Sequence, residues 1–149
     1  MKIAVLGCSF ALVACGSHAP TTMAQQLLID QESGIDHADF TTSTEIPQHP
    51  PPDLELTTSG NTARAIYATT VSLPVYPPGV FHCLADDGVR YELVFWSGDL
   101  VVATATLDPR GCQTVTIDSQ HGSLTLRGLG DYYDTLASEL GVPTSDLYP

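Results

Sequence analysis

Alternating apolar and polar residues predict a β-sheet in the second half of the chain. The segment from Val89 to Trp96 alternates, with the apolar residues Tyr91, Leu93 and Phe95 on one face and Arg90, Glu92, Val94 and Trp96 on the other. A period of two residues is typical of a strand with one buried face. Turn residues then separate three further strands, which we predict over 100–107, 113–117 and 123–127. Four consecutive strands with short turns predict an antiparallel meander.

Helical patterns flank the meander on both sides. The segment 63–71 has an apolar face and follows two residues that cap helices well, Asn61 and Thr62. A run of β-branched residues within it leaves a strand as the alternative. After the meander, Asp131 is a suitable N-terminal cap and Gly141 a suitable stop for a second amphipathic helix over 132–140.

The segment 15–60 has a different composition. Polar residues, scattered acids and the proline run 50–52 dominate it, and its single aromatic residue is Phe40. Such a segment buries too little apolar surface to offset the entropy lost on ordering it, and prolines favour an extended chain. We therefore expect a disordered Thr/Pro/acidic tether, with at most a transient helix over 23–31, in front of a folded domain over 61–149.

The most apolar stretch of the sequence lies at its N-terminus. After Lys2, residues 3–14 are almost free of polar side chains, which is the pattern of a secretory signal and is too short to cross a bilayer. We expect residues 1–14 to be the signal peptide. Because this region has a single positive charge, the sequence leaves open whether Met1 is the true start.

The end of the apolar stretch reads Leu12-Val13-Ala14-Cys15. It resembles the lipobox of bacterial lipoproteins. The resemblance implies that the sulfur of Cys15 carries a diacylglyceryl group of the palmitate type and that the signal is removed in front of it. The chain would then be held by lipid on the extracytoplasmic face of the cell membrane, because two or three acyl chains anchor stably where one does not. The alternative is an ordinary signal cut near Ala14 or Ala19.

The charge of the chain narrows its choice of partners. The whole sequence has five Lys and Arg against 17 Asp and Glu. Without residues 1–14 it has four Arg, no Lys and a net charge of −13. This argues against nucleic acid and against electrostatic binding to anionic lipid, both of which need basic clusters.

The four cysteines differ in their expected roles. One leaves with the signal peptide, and Cys15 takes the lipid. Cys83 and Cys112 then form an even pair in an oxidising compartment, which predicts a disulfide. The alternative is a metal site that would also need His82 or His121 as ligands.

The predicted fold class is α+β: a four-stranded antiparallel meander with one or two helices packed on one face and one disulfide. This layout resembles small uncharacterised exported domains of the actinobacterial type, although Leu84 stands where we expect a proline. The motifs that carry the resemblance are Leu73-Pro74, Pro77-Pro78-Gly79, Phe81-His82-Cys83, Asp86-Asp87-Gly88, Tyr91-Glu92-Leu93-Val94-Phe95 and Gly111-Cys112. It implies no activity.

One acidic loop is a candidate for binding a hard cation such as Ca²⁺. Its residues would be Asp86 and Asp87, with His82 and Glu92 nearby. The loop lacks the alternating oxygen ligands of calcium sites, and Asp-Asp-Gly is typical of a turn. We predict no metal site and no cofactor.

The histidines are the candidates for catalysis. His82 and His121 would each need a carboxylate and a nucleophile nearby. The sequence has no G-x-S-x-G elbow, no H-E-x-x-H motif and no phosphate loop, and the disulfide removes the free thiols. We therefore expect no catalytic residues and no enzyme activity.

Large exposed side chains remain as candidates for a partner surface. Trp96 lies on the strand face opposite Phe95, so it marks an open face if the helices cover the other one. The alternative is that it packs under a loop or under the turn of Pro77 and Pro78. The adjoining residues Tyr76, Pro77 and Pro78 are candidates for the same surface.

Together these features predict a lipid-anchored, extracytoplasmic, monomeric domain without enzyme activity. The tether would hold the domain some tens of ångströms from the membrane, where it engages a protein or another envelope component. The alternative is a secreted module that resembles a protease inhibitor and presents the loop around Pro74 to Pro78.

Overall fold

The computed structural model of the chain describes residues 21–43, 52–79, 82–83 and 88–147. The helices within these residues are α1 (Met23–Ile29), a 3-10 helix (Glu32–Gly34), α2 (Gly60–Val71), α3 (Gly130–Leu140) and α4 (Thr144–Leu147). The strands are β1 (His37–Thr42), β2 (Glu55–Ser59), β3 (Tyr91–Ser97), β4 (Leu100–Leu107), β5 (Thr114–Ser119) and β6 (Gly122–Arg127).

The strands form one antiparallel sheet in the order β2-β1-β3-β4-β5-β6. The predicted α+β class is confirmed, and so are the meander, now β3 to β6, and the two helices, now α2 and α3. The predicted number of four strands is too small, because β1 and β2 extend the sheet beyond β3. The N-terminal caps are displaced from their predicted positions, since Ser59 precedes α2 and Leu129 precedes α3, whereas Gly141 ends α3 as predicted.

The additional strands come from the segment that we expected to be a disordered tether. That prediction is wrong for the described parts of the segment, whereas residues 15–20 and 44–51 lie outside the described residues. β1 pairs with β3 over six consecutive residues, and its inward side chains Ala38 and Phe40 are fully buried. Two buried apolar residues are enough to order β1, because β3 satisfies its backbone hydrogen bonds and the core of the sheet is already formed by other strands.

Helix α1, which we expected to be transient at most, is docked on α2. The amide Nε2 of Gln25 donates hydrogen bonds to the carbonyl oxygens of Val71, at 2.8 Å, and Leu73, at 2.9 Å. The hydroxyl of Tyr67 donates to the carbonyl oxygen of Leu28 at 2.8 Å. These bonds fasten α1 to the C-terminal half of α2, so the folded unit includes α1 and its capping residue Thr22.

The core lies between the helices and one face of the sheet. Aromatic pairs fill its centre: Tyr67 of α2 meets Phe95 edge to face with ring centroids 4.9 Å apart, and Phe40 stacks on Tyr91 at 5.3 Å. The hydroxyl of Tyr91 also donates to the carbonyl oxygen of Asp146, which ties α4 to the same face. The helices therefore leave the other sheet face to polar and half-buried side chains.

The predicted disulfide between Cys83 and Cys112 is confirmed, with the two Cα atoms 4.7 Å apart. It joins the approach to β3 with the connection between β4 and β5. We call this the disulfide end of the sheet. The opposite end carries the β3–β4 turn at 98–99 and the β5–β6 turn at 120–121, and we call it the turn end.

Candidate functional site

Several predicted site residues lie outside the described residues. They include the lipidation candidate Cys15 and both acids of the proposed calcium loop, Asp86 and Asp87. Among the residues that are described, no three His, Cys, Asp or Glu side chains approach one another closely enough to hold a metal ion.

Trp96 lies on the sheet face opposite the helices and is half-buried. Its ring stacks on the ring of His37 with centroids 5.5 Å apart and planes 3° apart. Its Nε1 donates to Oδ2 of Asp39 at 3.0 Å, and the other oxygen of Asp39 accepts from the hydroxyl of Thr57 at 2.7 Å. The side chain of Trp96 is thus positioned by β1 and β2, whose pairing the sequence did not reveal.

The other members of the predicted surface lie far from Trp96. Tyr76 donates its backbone N–H to Thr125 at 2.9 Å, and Pro74 accepts from the backbone of Arg127 at 2.8 Å. The segment therefore runs along the outer edge of β6. Strands are spaced about 4.8 Å apart, so four spacings place it about 19 Å from β3. The structure does not bring Trp96 and Tyr76 into one surface.

The pairing with β6 also affects the loop from Pro74 to Pro78, which is the candidate for an inhibitor-like element. Pro77 and Pro78 are exposed, but the backbone of Pro74 and Tyr76 is already hydrogen-bonded to β6. A protease cleft would need that backbone for its own strand pairing with an inhibitor. The segment serves instead to cover the edge of the sheet.

A cleft of about 430 Å³ opens at the turn end, on the helix side of the sheet. We call it the turn-end cleft. It lies between the chain that follows α1 and the hairpin ends of the sheet, and its lining residues are Asp30, Gln31, Ser33, Gly34, Ser97, Leu100, Val101, Val102 and Gln120. The two-residue β3–β4 turn that shapes one wall depends on Gly98, whose φ is +57°.

One side of the turn-end cleft is apolar and the other is polar. Leu100 is 73% exposed and Val101 is 51% exposed, although both are large apolar residues on a strand. Across from them, Nε2 of Gln31 lies 2.7 Å from Nε2 of His121. The side-chain oxygen of Gln31 is buried and has no hydrogen-bond partner among the described residues. An apolar wall facing unsatisfied polar groups is typical of a binding site.

Asp36 connects the turn-end cleft to the Trp96 side of the sheet. Its backbone N–H donates to the carbonyl oxygen of Trp96, and its Oδ2 accepts from the backbone N–H of Gly98 at 2.5 Å. Its Oδ1 is also bonded to Nδ1 of His37. The Gly98 hydrogen bond and then the His37 bond hold the pKa of the Asp36 carboxyl below its ordinary value of 3.8.

We expect Asp36→Asn to lower stability at neutral pH and to weaken the acid dependence of unfolding. A carboxyl whose pKa is lowered by folding stabilises the native state above its unfolded pKa. That contribution is lost as the pH falls through the lower, folded value. The check is the melting temperature of both proteins between pH 7 and pH 2. Asp118→Asn, which changes an exposed carboxylate of β5, is the matched control. Equal acid dependence in Asp36→Asn and wild type would contradict this role of Asp36.

Sequence reasoning missed the turn-end cleft because three distant segments build it. The one local signal is the consecutive apolar run Leu100-Val101-Val102 directly after a tight turn. A strand with one buried face alternates, so such a run indicates apolar side chains on both faces.

No protein-family model matches the chain, and neither a curated protein nor a solved structure does. The resemblance to exported actinobacterial-type domains thus stays a prediction. Within the described residues, no helix has the length and apolar character needed to cross a membrane.

Proposed function

We propose that the chain is a bacterial lipoprotein whose domain binds a protein or envelope component on the extracytoplasmic face of the cell membrane, without catalysing a reaction. The observation that carries this proposal is the sequence Leu12-Val13-Ala14-Cys15 at the end of a short apolar stretch. The Cys83–Cys112 disulfide supports it, because such bonds persist in exported proteins and are rare in the cytosol.

The fold changes the expected distance between the domain and the membrane. Because α1 is part of the domain, only six residues separate Cys15 from its capping residue Thr22, which makes seven Cα–Cα steps. Fully extended, they reach about 25 Å. A domain on this connection works next to the lipid surface, instead of at the end of the 45-residue tether that the composition suggested.

The turn-end cleft is the best-supported place for a partner to bind. Its volume of about 430 Å³ falls within the usual range of ligand pockets, roughly 300–1,000 Å³. Exposed Leu100 and Val101 supply apolar contact area, while Asp30, Gln31, Ser33 and Gln120 line the cleft with polar side chains.

The lipid anchor is tested with Cys15→Ala. We expect the variant to leave the membrane fraction completely and to take up no labelled palmitate, because the acyl chains are attached through this sulfur. Ser17→Ala keeps the Leu12–Cys15 sequence and is the matched control. If wild type takes up no labelled fatty acid and the variant stays in the membrane fraction, the chain is not a lipoprotein.

The cleft is tested in the lipidated protein with Leu100→Asp. The partner is first identified by crosslinking to the wild-type protein in membranes. The variant should recover about tenfold less of it or lower still, because the new carboxylate on the apolar wall must lose its water when the partner binds. Ser123→Asp places the same charge on an exposed residue of the other sheet face. Equal recovery with both variants would exclude the cleft as the binding surface.

A further inference from the structure

We infer that the outer face of α1, formed by Met23 and Leu27, rests on the surface of the lipid bilayer to which Cys15 is anchored. The inference rests on the proposed lipidation and goes beyond it. Lipidation fixes where the chain is attached, whereas this contact fixes which side of the domain faces the membrane.

The outer face of α1 is apolar and exposed. Met23 is 83% exposed and Leu27 is 40% exposed. They are four residues apart and therefore lie on the same side of the helix, one turn from each other. The opposite side of α1 carries Gln25 and Leu28, which are buried against the domain. Helix α1 therefore has apolar side chains on both sides, with Leu28 turned towards the domain and Met23 and Leu27 on the side that the domain does not cover.

The length of the connection brings this face to the lipid. The chain from Cys15 to Thr22 can reach at most about 25 Å, the length of seven extended steps. A contact formed over such a distance is intramolecular in effect, so even a weak apolar contact is populated at the high effective concentration set by the anchor.

The distribution of charge along the chain also favours an orientation in which α1 faces the lipid. Between Gly16 and Ile29 the sequence has no Asp, Glu, Lys or Arg, although the whole chain has 17 acids; the first of these is Asp30. Anionic headgroups repel the rest of this acidic chain, and the repulsion falls off within a Debye length of about 8 Å. Turning the uncharged segment towards the lipid therefore keeps the acids away from it. The contact is apolar, which agrees with the absence of a basic cluster.

The contact is tested on the lipidated full chain reconstituted in phosphatidylcholine vesicles. Met23→Cys provides a thiol for an environment-sensitive dye, since Cys15 is acylated and Cys83 and Cys112 form a disulfide. Ser123→Cys places the same dye on the exposed side of β6 as the control. Brominated lipid quenches dyes that touch the acyl region. We expect the dye at position 23 to lose most of its fluorescence and the dye at position 123 to keep it.

Each other outcome overturns a defined part of the inference. Weak or equal quenching at the two positions in protein that carries labelled palmitate overturns the contact and leaves the anchor intact. Protein without labelled palmitate overturns the proposed lipoprotein itself. If acrylamide reaches the dye at position 23 on pure vesicles but not after membrane extract is added, the face binds a protein and not lipid.

Discussion

Replacing both Cys83 and Cys112 by serine is expected to lower the free energy of unfolding by about 3–4 kcal/mol. The disulfide closes a loop with a sequence separation of 29 residues, and the value follows from the chain entropy that such a loop removes from the unfolded state. A domain of this size is stable by only about 5–15 kcal/mol, so the loss is a large fraction of the total. Urea unfolding followed by the fluorescence of Trp96, the single tryptophan, measures it.

The control for this prediction is wild-type protein in a strong reductant, which removes the same crosslink without changing a side chain. We expect its unfolding midpoint to match that of the double variant. Cys83 is exposed and Cys112 is half-buried, so serine itself should cost little packing. An unchanged midpoint in both samples would show that the crosslink does not constrain the unfolded chain.

Gln25→Met is expected to lower the free energy of unfolding by about 2–3 kcal/mol. Methionine has a similar volume, but it cannot donate to the carbonyl oxygens of Val71 and Leu73, which the Gln25 amide now satisfies in a buried position. A buried polar group left without a partner costs about 1–3 kcal/mol. Urea unfolding measures the total. Hydrogen exchange of the α1 amides should rise more than that of β3.

Gln26→Met is the matched control, because it makes the same substitution at the next residue, which is exposed. It should change the free energy of unfolding by no more than about 0.5 kcal/mol. If the two variants unfold at the same urea concentration, the amide of Gln25 does not hold α1 on the domain.

The meander was predictable because β3 to β6 are long, alternate clearly and are separated by tight turns. The additional strands β1 and β2 were not predictable. The apolar residues on the inward face are only Ala38 and Phe40 in β1 and the half-buried Leu56 in β2. β1 is held by pairing with β3, whose partner residues lie 49 to 59 positions away in sequence, and β2 is held by pairing with β1. Composition within one segment cannot report a stabilisation that comes from a distant partner.

The candidate site also has one part that the sequence predicts and one part that it does not. The position of Trp96 on the face opposite Phe95 follows from the alternation of a single strand, so the sequence predicted it. The turn-end cleft requires the chain after α1 to meet two hairpin ends, and the contact between Gln31 and His121 spans 90 residues. Residue spacing within one segment cannot predict a contact between segments that are so far apart in sequence.

The docking of α1 also determines how the domain responds to a pulling force. A force between the lipid on Cys15 and a partner bound to the domain acts first on α1, whose side-chain hydrogen bonds to the domain come from Gln25 and Tyr67. If those bonds break before the sheet opens, the nine residues from Thr22 to Asp30 are released, whereas Gln31 and Asp36 stay bonded to the turn end of the sheet. Extended, they reach about 30 Å. The domain therefore stores a length of chain that tension can draw out while the six-stranded sheet stays folded.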